Sequence, residues 1–325
     1  MRICIAGAGA VGSVIAAYLL DGGKHDISVL ARGEQLDAIR SEGLRVDSRG
    51  RTLVGHPKAS DDPNELGPQD AVVVAVKGYS VPALAPALKP MTGPRTLIVT
   101  AQNGIPWWYF YGVDGPDEDT PFETVDPGGV AWGTLGPDNA VGCIVTIPAE
   151  RIAPGVVHHG GALKLILGAP KPAMHGNALA ALAMALTESG IETVVTDDIR
   201  LATWSKLQTQ VGTAPIAVLT GGTNGEVANA AELDGLKARV AAECLAVANA
   251  SGVALTPTIT RASAANPDHK ASMLQDFEAG RPLELDAIVG AVIELARRRD
   301  VPVPTIEMLW GLAKLRVRTR DRHTR

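Results

Sequence analysis

The most constraining feature of this chain lies in its first two dozen residues. Arg2–Ala6 (RICIA) has the character of a short buried strand, and Gly7-Ala8-Gly9-Ala10-Val11-Gly12 follows at once. Val11–Leu20 then has the length and composition of a helix, which Gly22-Gly23 can end. A Gly-x-Gly-x-x-Gly string is weak by itself, but between a strand and a helix it is strong. Gly7 permits a tight turn, Gly9 lets backbone approach a pyrophosphate, and Gly12 lets the helix pack on the strand. The helix start, Ala10, Val11 and Gly12, offers N–H groups and the positive dipole end to phosphates. An uncharged run from Ile3 to Leu20 also has some look of an export signal or a membrane span. The glycines interrupt it and no clear cleavage site follows, so a soluble, cytoplasmic chain is expected.

The next hundred residues keep a strand–helix rhythm. Ile27–Ala31, Ala71–Val76 and Thr96–Thr100 read as strands, the last two as β-branched runs covered on both faces. Val81–Leu88 can form the crossover helix between them, which predicts a parallel sheet. Val141–Ile147, Val156–His159 and Leu163–Leu167 read as antiparallel hairpins extending that sheet, with the pair His158-His159 on one of them. Ala178–Ser189 reads as a helix and Glu192–Val195 as a last strand. Beyond Thr196 the apolar spacing is helical: Ile199–Leu219, Ala230–Ser251, Thr258–Ala265, Ala271–Glu278, Glu284–Arg299 and Thr305–Arg316. The tail Arg316–Arg325 reads as frayed. The expected fold class is α/β: a Rossmann-type dinucleotide-binding domain over residues 1–195, then an all-helical C-terminal domain over residues 196–325.

Composition narrows the function. A net charge of −5 lacks the basic excess that phosphate neutralisation needs, so no nucleic-acid partner is expected. Cys4, Cys143 and Cys244 have neither disulfide nor metal-ligand spacing, and no metal is expected.

Four further features carry chemistry. At the end of the second strand, an NAD site places Asp or Glu; here stands Arg32, which can pair with a 2′-phosphate, so the cofactor expected is NADP(H). Lys77 and Asn103 follow strands in places equivalent to the glycine turn, where ligands of doubly wound sheets bind. Asn103 reads as a nicotinamide, ribose or substrate contact, or as a plain Asn-Gly turn. Lys77 reads as a cofactor or substrate neighbour, or as a surface lysine. Lys206, in Trp204-Ser205-Lys206-Leu207, is either a partly desolvated proton donor or an ordinary amphipathic-helix lysine. Ser272 and Asp276 share a helix face, and Glu284 opens the next helix, as catalytic groups or as caps.

Taken in order, these residues resemble the ketopantoate reductase (2-dehydropantoate 2-reductase) family over nearly the whole chain. The carriers are GAGAVG, Arg32, Lys77, Gln102-Asn103-Gly104, Trp204–Leu207, Asn224-Gly225-Glu226, Ser272–Asp276 and Gly280-Arg281 through Glu284-Leu285-Asp286. The resemblance implies NADPH-dependent reduction of a small-molecule 2-oxo acid, first of all 2-dehydropantoate, to the 2-hydroxy acid. It implies Lys206 as proton donor and Glu284 as the group orienting lysine, substrate or cofactor. Ser272 would hold the substrate carboxylate, and Asn103 and Asn224 would position cofactor and substrate hydroxyl. A homodimer is a further possibility. The family's asparagines one and two turns after the lysine are replaced: Gln210 keeps an amide for substrate, and Ala214 has none. The run Pro106-Trp107-Trp108-Tyr109-Phe110-Tyr111 reads either as a plug or dimer contact, or as a lid selecting another oxo acid. The competing functions are reduction of a different 2-oxo acid and NADP(H) binding without turnover.

Overall fold

The computed structural model describes residues 1–171, 173–257 and 267–323. The chain divides into two compact units: residues 1–102 with 106–199, and residues 103–105 with 200–325.

The first unit begins β1 (Arg2–Ala6), α1 (Ala10–Gly22), β2 (Asp26–Leu30) and α2 (Gly33–Glu42). It continues with β3 (Leu44–Ser48), β4 (Arg51–Gly55), β5 (Lys58–Ser60), α3 (Pro63–Leu66), β6 (Ala71–Val74), α4 (Val81–Leu88) and β7 (Leu97–Thr100). After a long connection come α5 (Val130–Leu135), β8 (Ala140–Thr146), β9 (Ala149–Ala153), β10 (Val156–His159), β11 (Lys164–Gly168), α6 (Gly176–Glu188) and β12 (Glu192–Val195). The main sheet runs β12-β11-β8-β7-β6-β1-β2-β5. It is parallel except where β11 runs against β8. β1 and β6 are buried on both faces apart from Arg2, which is why they read as unbroken apolar runs.

A second sheet, ordered β4-β3-β10-β9, corrects one expectation. Val156–His159 does not extend the main sheet. It pairs in parallel with β3, more than a hundred residues earlier in the chain. Helix α1 packs against strands of both sheets. Covered on two sides, it needs apolar residues all round, which accounts for the membrane-like run. Among the described residues no helix is long and apolar enough to cross a membrane.

Beneath α1 lies a buried polar chain. His159 Nε2 is 3.0 Å from Ala162 O, and its Nδ1 is 2.7 Å from Ser48 Oγ, which is 2.7 Å from Tyr18 Oη. A carbonyl only accepts, so Nε2 carries the proton, Nδ1 accepts from Ser48, and Ser48 accepts from Tyr18. Burial holds His159 below the ordinary histidine value, against the opposing hydrogen bond to Ala162. Below about pH 6.5 the unfolded chain therefore binds more protons, and stability present at neutral pH is lost as the pH falls. Urea midpoints should drop between pH 7.5 and 5.5, and His159→Gln should flatten that slope. An unchanged slope in the variant would remove His159 as a source.

The second unit holds α7 (Ile199–Thr220), α8 (Asn224–Asn229), α9 (Asp234–Ala250), α10 (Ser272–Glu278), α11 (Ala291–Arg298) and α12 (Pro304–His323). The helix expected over Ala230–Ser251 starts later, at Asp234, after a tight turn at Ala231–Leu233. The helix expected over Thr258–Ala265 lies outside the described residues. The tail is helical to His323 rather than frayed from Arg316. Arg320 lies 4.9 Å over the Phe277 ring and donates to Phe277 O at 2.8 Å, which ties down the last turns. At the other end of α12, Glu243 of α9 accepts from the Thr305 and Ile306 N–H groups at 3.0 and 2.9 Å.

Candidate active site

Four adjacent parallel strands, β7, β6, β1 and β2, end in candidate residues of the sequence: Asn103, Lys77, the glycine turn and Arg32. The chain runs from β1 to β2 on one side and later to β6 on the other, so the glycine turn lies at a topological switch point. Gly7 has φ +110°, and a Cβ there would stand 2.6 Å from Val76 Cγ1. A Cβ on Gly12 would stand 2.1 Å from Gly7 O, so helix and turn touch backbone to backbone. Gly9 precedes the first turn of α1, and no side chain caps that end. The first intrahelical bond is Ser13 N–H to Gly9 O at 2.9 Å, so the N–H groups of Ala10, Val11 and Gly12 lie ahead of the ladder. Arg32 is exposed and stands as the residue before α2. Lys77 is half-buried and precedes a tight turn at Gly78–Ser80.

The helical unit gathers the second group. Asn103 Oδ1 accepts from Lys206 Nζ at 2.7 Å and from Gln210 Nε2 at 3.2 Å. Asn103 Nδ2 lies 3.4 Å from Glu284 Oε2. One amide thus stands between an ammonium and a carboxylate, its oxygen toward the cation and its N–H toward the anion. Two donors on the oxygen side fix which way the amide points. Lys206 and Gln210 are one turn apart on α7 and share a face. Lys206 is half-buried, while Trp204 and Leu207 beside it are 0% and 1% exposed. Glu284 is buried, at 6% exposure.

Residues 103–105 are held against a π-helical turn, Asp286–Gly290, that leads into α11. Ile105 N–H donates to Ala287 O at 2.9 Å, and a Cβ on Gly104 would stand 2.2 Å from that same oxygen. This seat for Asn103 has no trace in the sequence, because a single added residue in a helix shifts the apolar phase only beyond it.

Asn224 and Ser272 are not joined to this group by any hydrogen bond among the described residues. Asn224 opens α8 behind a Thr223/Glu226 capping box, and its N–H donates to His269 O at 2.9 Å. Ser272 and Asp276 lie one turn apart on α10 but differ in burial. Ser272 is exposed at the start of α10, and Asp276 is buried and bound by Arg281 Nε at 2.8 Å.

The aromatic run is core of the first unit. Trp107, Trp108, Tyr109 and Phe110 are at most 3% exposed. Phe110 stacks on Phe122 with centroids 4.9 Å apart, and Trp107 meets Trp132 edge-on at 6.5 Å. Trp108 Nε1 donates to Thr100 Oγ1 at 2.9 Å. Tyr111, half-buried, donates to Asp138, and burial with that bond pushes its hydroxyl up to about 12. The plug, and not the lid, describes Trp107–Phe110.

A glycine turn at the switch point of a doubly wound sheet places the first unit in a class, the Rossmann-type dinucleotide-binding folds; the helical unit adds a lysine, an amide and a buried carboxylate gathered together. The chain belongs to the ketopantoate reductase family. The model of that family described as ketopantoate reductase PanE/ApbA matches residues 3–172, and its C-terminal counterpart matches residues 198–317. The chain is 38% identical to a 2-dehydropantoate 2-reductase of Mesorhizobium japonicum, over 97% of each chain. A Ralstonia solanacearum protein assigned to the ketopantoate reductases has a crystal structure that superposes with TM-score 0.91 at 35% identity, covering 98% of each chain. The fold is also that of a D-mandelate dehydrogenase solved with NADH and anilino(oxo)acetate, at TM-score 0.84 and 19% identity over 99% of this chain and all of that one.

Proposed function

We propose that this protein reduces a 2-oxo acid to the 2-hydroxy acid with NADPH, and that 2-dehydropantoate is its substrate. The observation that supports this reading most is the held ammonium: Lys206 Nζ on Asn103 Oδ1 at 2.7 Å, with Glu284 on the far side of the same amide. The relatives named 2-dehydropantoate 2-reductase, led here by one that is 38% identical, support the choice of acid.

The residues of the first unit fit a dinucleotide. The uncapped start of α1 and the bare Gly9, whose Cβ would meet nothing closer than Ala75 O at 4.0 Å, leave room for a pyrophosphate against backbone N–H groups. Gly7, Gly9, Ala10, Val11 and Gly12 would hold it, Arg32 would meet a 2′-phosphate, and Lys77 would stand nearby. When bound, the dihydronicotinamide supplies the hydride that reduces the ketone carbon.

The chain's own part is charge and proton. As the carbonyl carbon is reduced, negative charge grows on its oxygen, and an ammonium nearby lowers that barrier. Lys206 gives its Nζ proton to that oxygen and regains one from solvent. Asn103 keeps the ammonium placed, and Glu284 Oε2, 3.4 Å from the amide nitrogen, orients that amide from its far side. Gln210 already donates to Asn103, so its amide nitrogen acts on Asn103 rather than on substrate. With Ala214 one turn beyond, this favours as a second reading an oxo acid with fewer polar groups than pantoate's precursor.

NADPH oxidation by the purified protein across a panel of 2-oxo acids including 2-dehydropantoate tests the proposal. No turnover with any of them would leave nucleotide binding alone. Cofactor choice has its own test. A charge-assisted contact contributes ~1.5–3 kcal/mol, so Arg32→Asp should weaken NADPH by at least ~10-fold and NADH much less. Equal affinity of the parent protein for both nucleotides would sink the 2′-phosphate assignment.

A further inference from the structure

The segment that carries Glu284 also walls a second cavity. A cleft of about 680 Å³ lies between residues 280–286 and the last turns of α12, all within the helical unit. That size is in the range of small-molecule sites. Pro282, Leu283, Leu285 and Val317 give the cleft an apolar wall. Leu283 and Leu285 flank Glu284 in the chain, yet neither Glu284 nor the Asn103, Lys206 and Gln210 side chains line it.

Local geometry keeps the cleft open. Gly280 follows α10 with φ +68°, and a Cβ there would meet no atom within 4 Å. On α12, Arg316 and Arg320 lie over the Phe277 ring, at 5.6 and 4.9 Å. Lys314 and Arg318, one turn apart on a neighbouring face, line the cleft.

Charge decides what such a cleft can hold. Asp286 lies 3.1 Å from Lys314 Nζ and accepts from Trp310 Nε1 at 3.1 Å. Asp321 is paired with Arg320 at 2.8 Å, and Arg320 also donates to Phe277 O and Arg281 O. Both lining carboxylates thus have a cation of their own. Arg318 is exposed and has no ion pair among the described residues. Three lining cations against two lining carboxylates leave one positive charge beside an apolar wall.

We infer that this cleft binds an aliphatic monocarboxylate, its head on the Arg318 guanidinium and its chain along Leu283, Leu285 and Val317. A guanidinium presents paired N–H donors that match the two oxygens of a carboxylate. A second negative charge on the ligand would face Asp286 and Asp321 with no cation left to balance it, so a phosphate monoester with the same chain should bind less well.

Calorimetric titration of the full chain with hexanoate tests this, against acetate, which has the same head and almost no chain. One hexanoate per chain is expected, bound at least ~10-fold tighter than acetate, since each buried CH₂ contributes about fourfold. Arg318→Ala should weaken hexanoate ~10-fold, the usual loss of a charge-assisted contact, and Arg318→Glu should abolish binding. Arg318 is exposed, so both variants should keep the circular dichroism of the parent. Lys206→Ala should bind hexanoate as the parent does, which separates the cleft from the cluster around Asn103. Binding is the readout throughout, so the result does not depend on whether the chain reduces an oxo acid. No binding of hexanoate overturns the inference. So do equal affinities for hexanoate and acetate, an unchanged affinity in Arg318→Ala, loss of binding in Lys206→Ala, or tighter binding of hexyl phosphate than of hexanoate.

Discussion

Lys206→Ala is expected to lower kcat by ~10²–10⁴-fold, the usual contribution of a positioned acid. NADPH affinity should stay near that of the parent protein. Two facts carry this expectation. Lys206 Nζ is held at 2.7 Å by Asn103, and the glycine turn and Arg32 belong to the other unit. Glu284→Ala should fall in the same direction. If the carboxylate acts on the lysine through Asn103, the double variant loses less than the product of the singles, as groups acting as a unit do. Steady-state kinetics with NADPH fluorescence titration read all three. Near-normal turnover of Lys206→Ala at pH 7 would take the lysine out of the mechanism and leave Lys77 as the next candidate acid.

Trp108→Ala is expected to destabilise the protein by ~3–5 kcal/mol, as truncation of a buried Trp does. The ring is 1% exposed and lies where a side chain on Gly142 would collide with it, 2.7 Å from Cζ2. Its loss opens a cavity that β8 cannot fill without moving. Thr100 Oγ1 would lose the Trp108 bond but keep its own bond to Val141 O at 3.1 Å, so lost packing outweighs lost polarity. Urea denaturation gives the number, and the ranking of 2-oxo acids should be unchanged. A small stability loss with an altered ranking would return the aromatic run to the substrate.

What could be read from the sequence follows the range of the interactions involved. The glycine turn was legible because strand, turn and helix are contiguous and each glycine answers a local steric demand. β6 and α4 were legible for the same reason. The second sheet was not. β3 and β4 are short and half polar, and they are made stable by β10, which arrives a hundred residues later. The tail reads as frayed because arginines in a terminal helix look solvated until a ring such as Phe277 is brought beneath them. At the candidate site, the residue types of Lys206, Asn103 and Glu284 could be picked out, by family resemblance more than by spacing. Their junction could not, since the amide that bridges them comes from a loop 103 residues before the lysine. Nor did the sequence show that Gln210 turns toward Asn103, or that Ser272 is exposed.

The placement of residues 103–105 bears on how far this chain can be taken apart. The polypeptide leaves β7, lends three residues to the helical unit, and returns at Pro106 to the unit it left. The helical unit is therefore no cassette that a single cut near residue 200 could lift out whole. A fragment starting there would carry Lys206, Gln210 and Glu284 without the amide they converge on, and Ala287 O without the Ile105 N–H. A chimera joined at that point would borrow its Asn103 loop from the other parent. Recombination between relatives should therefore succeed only where the loop after β7 and the turn at Asp286–Gly290 come from the same ancestor.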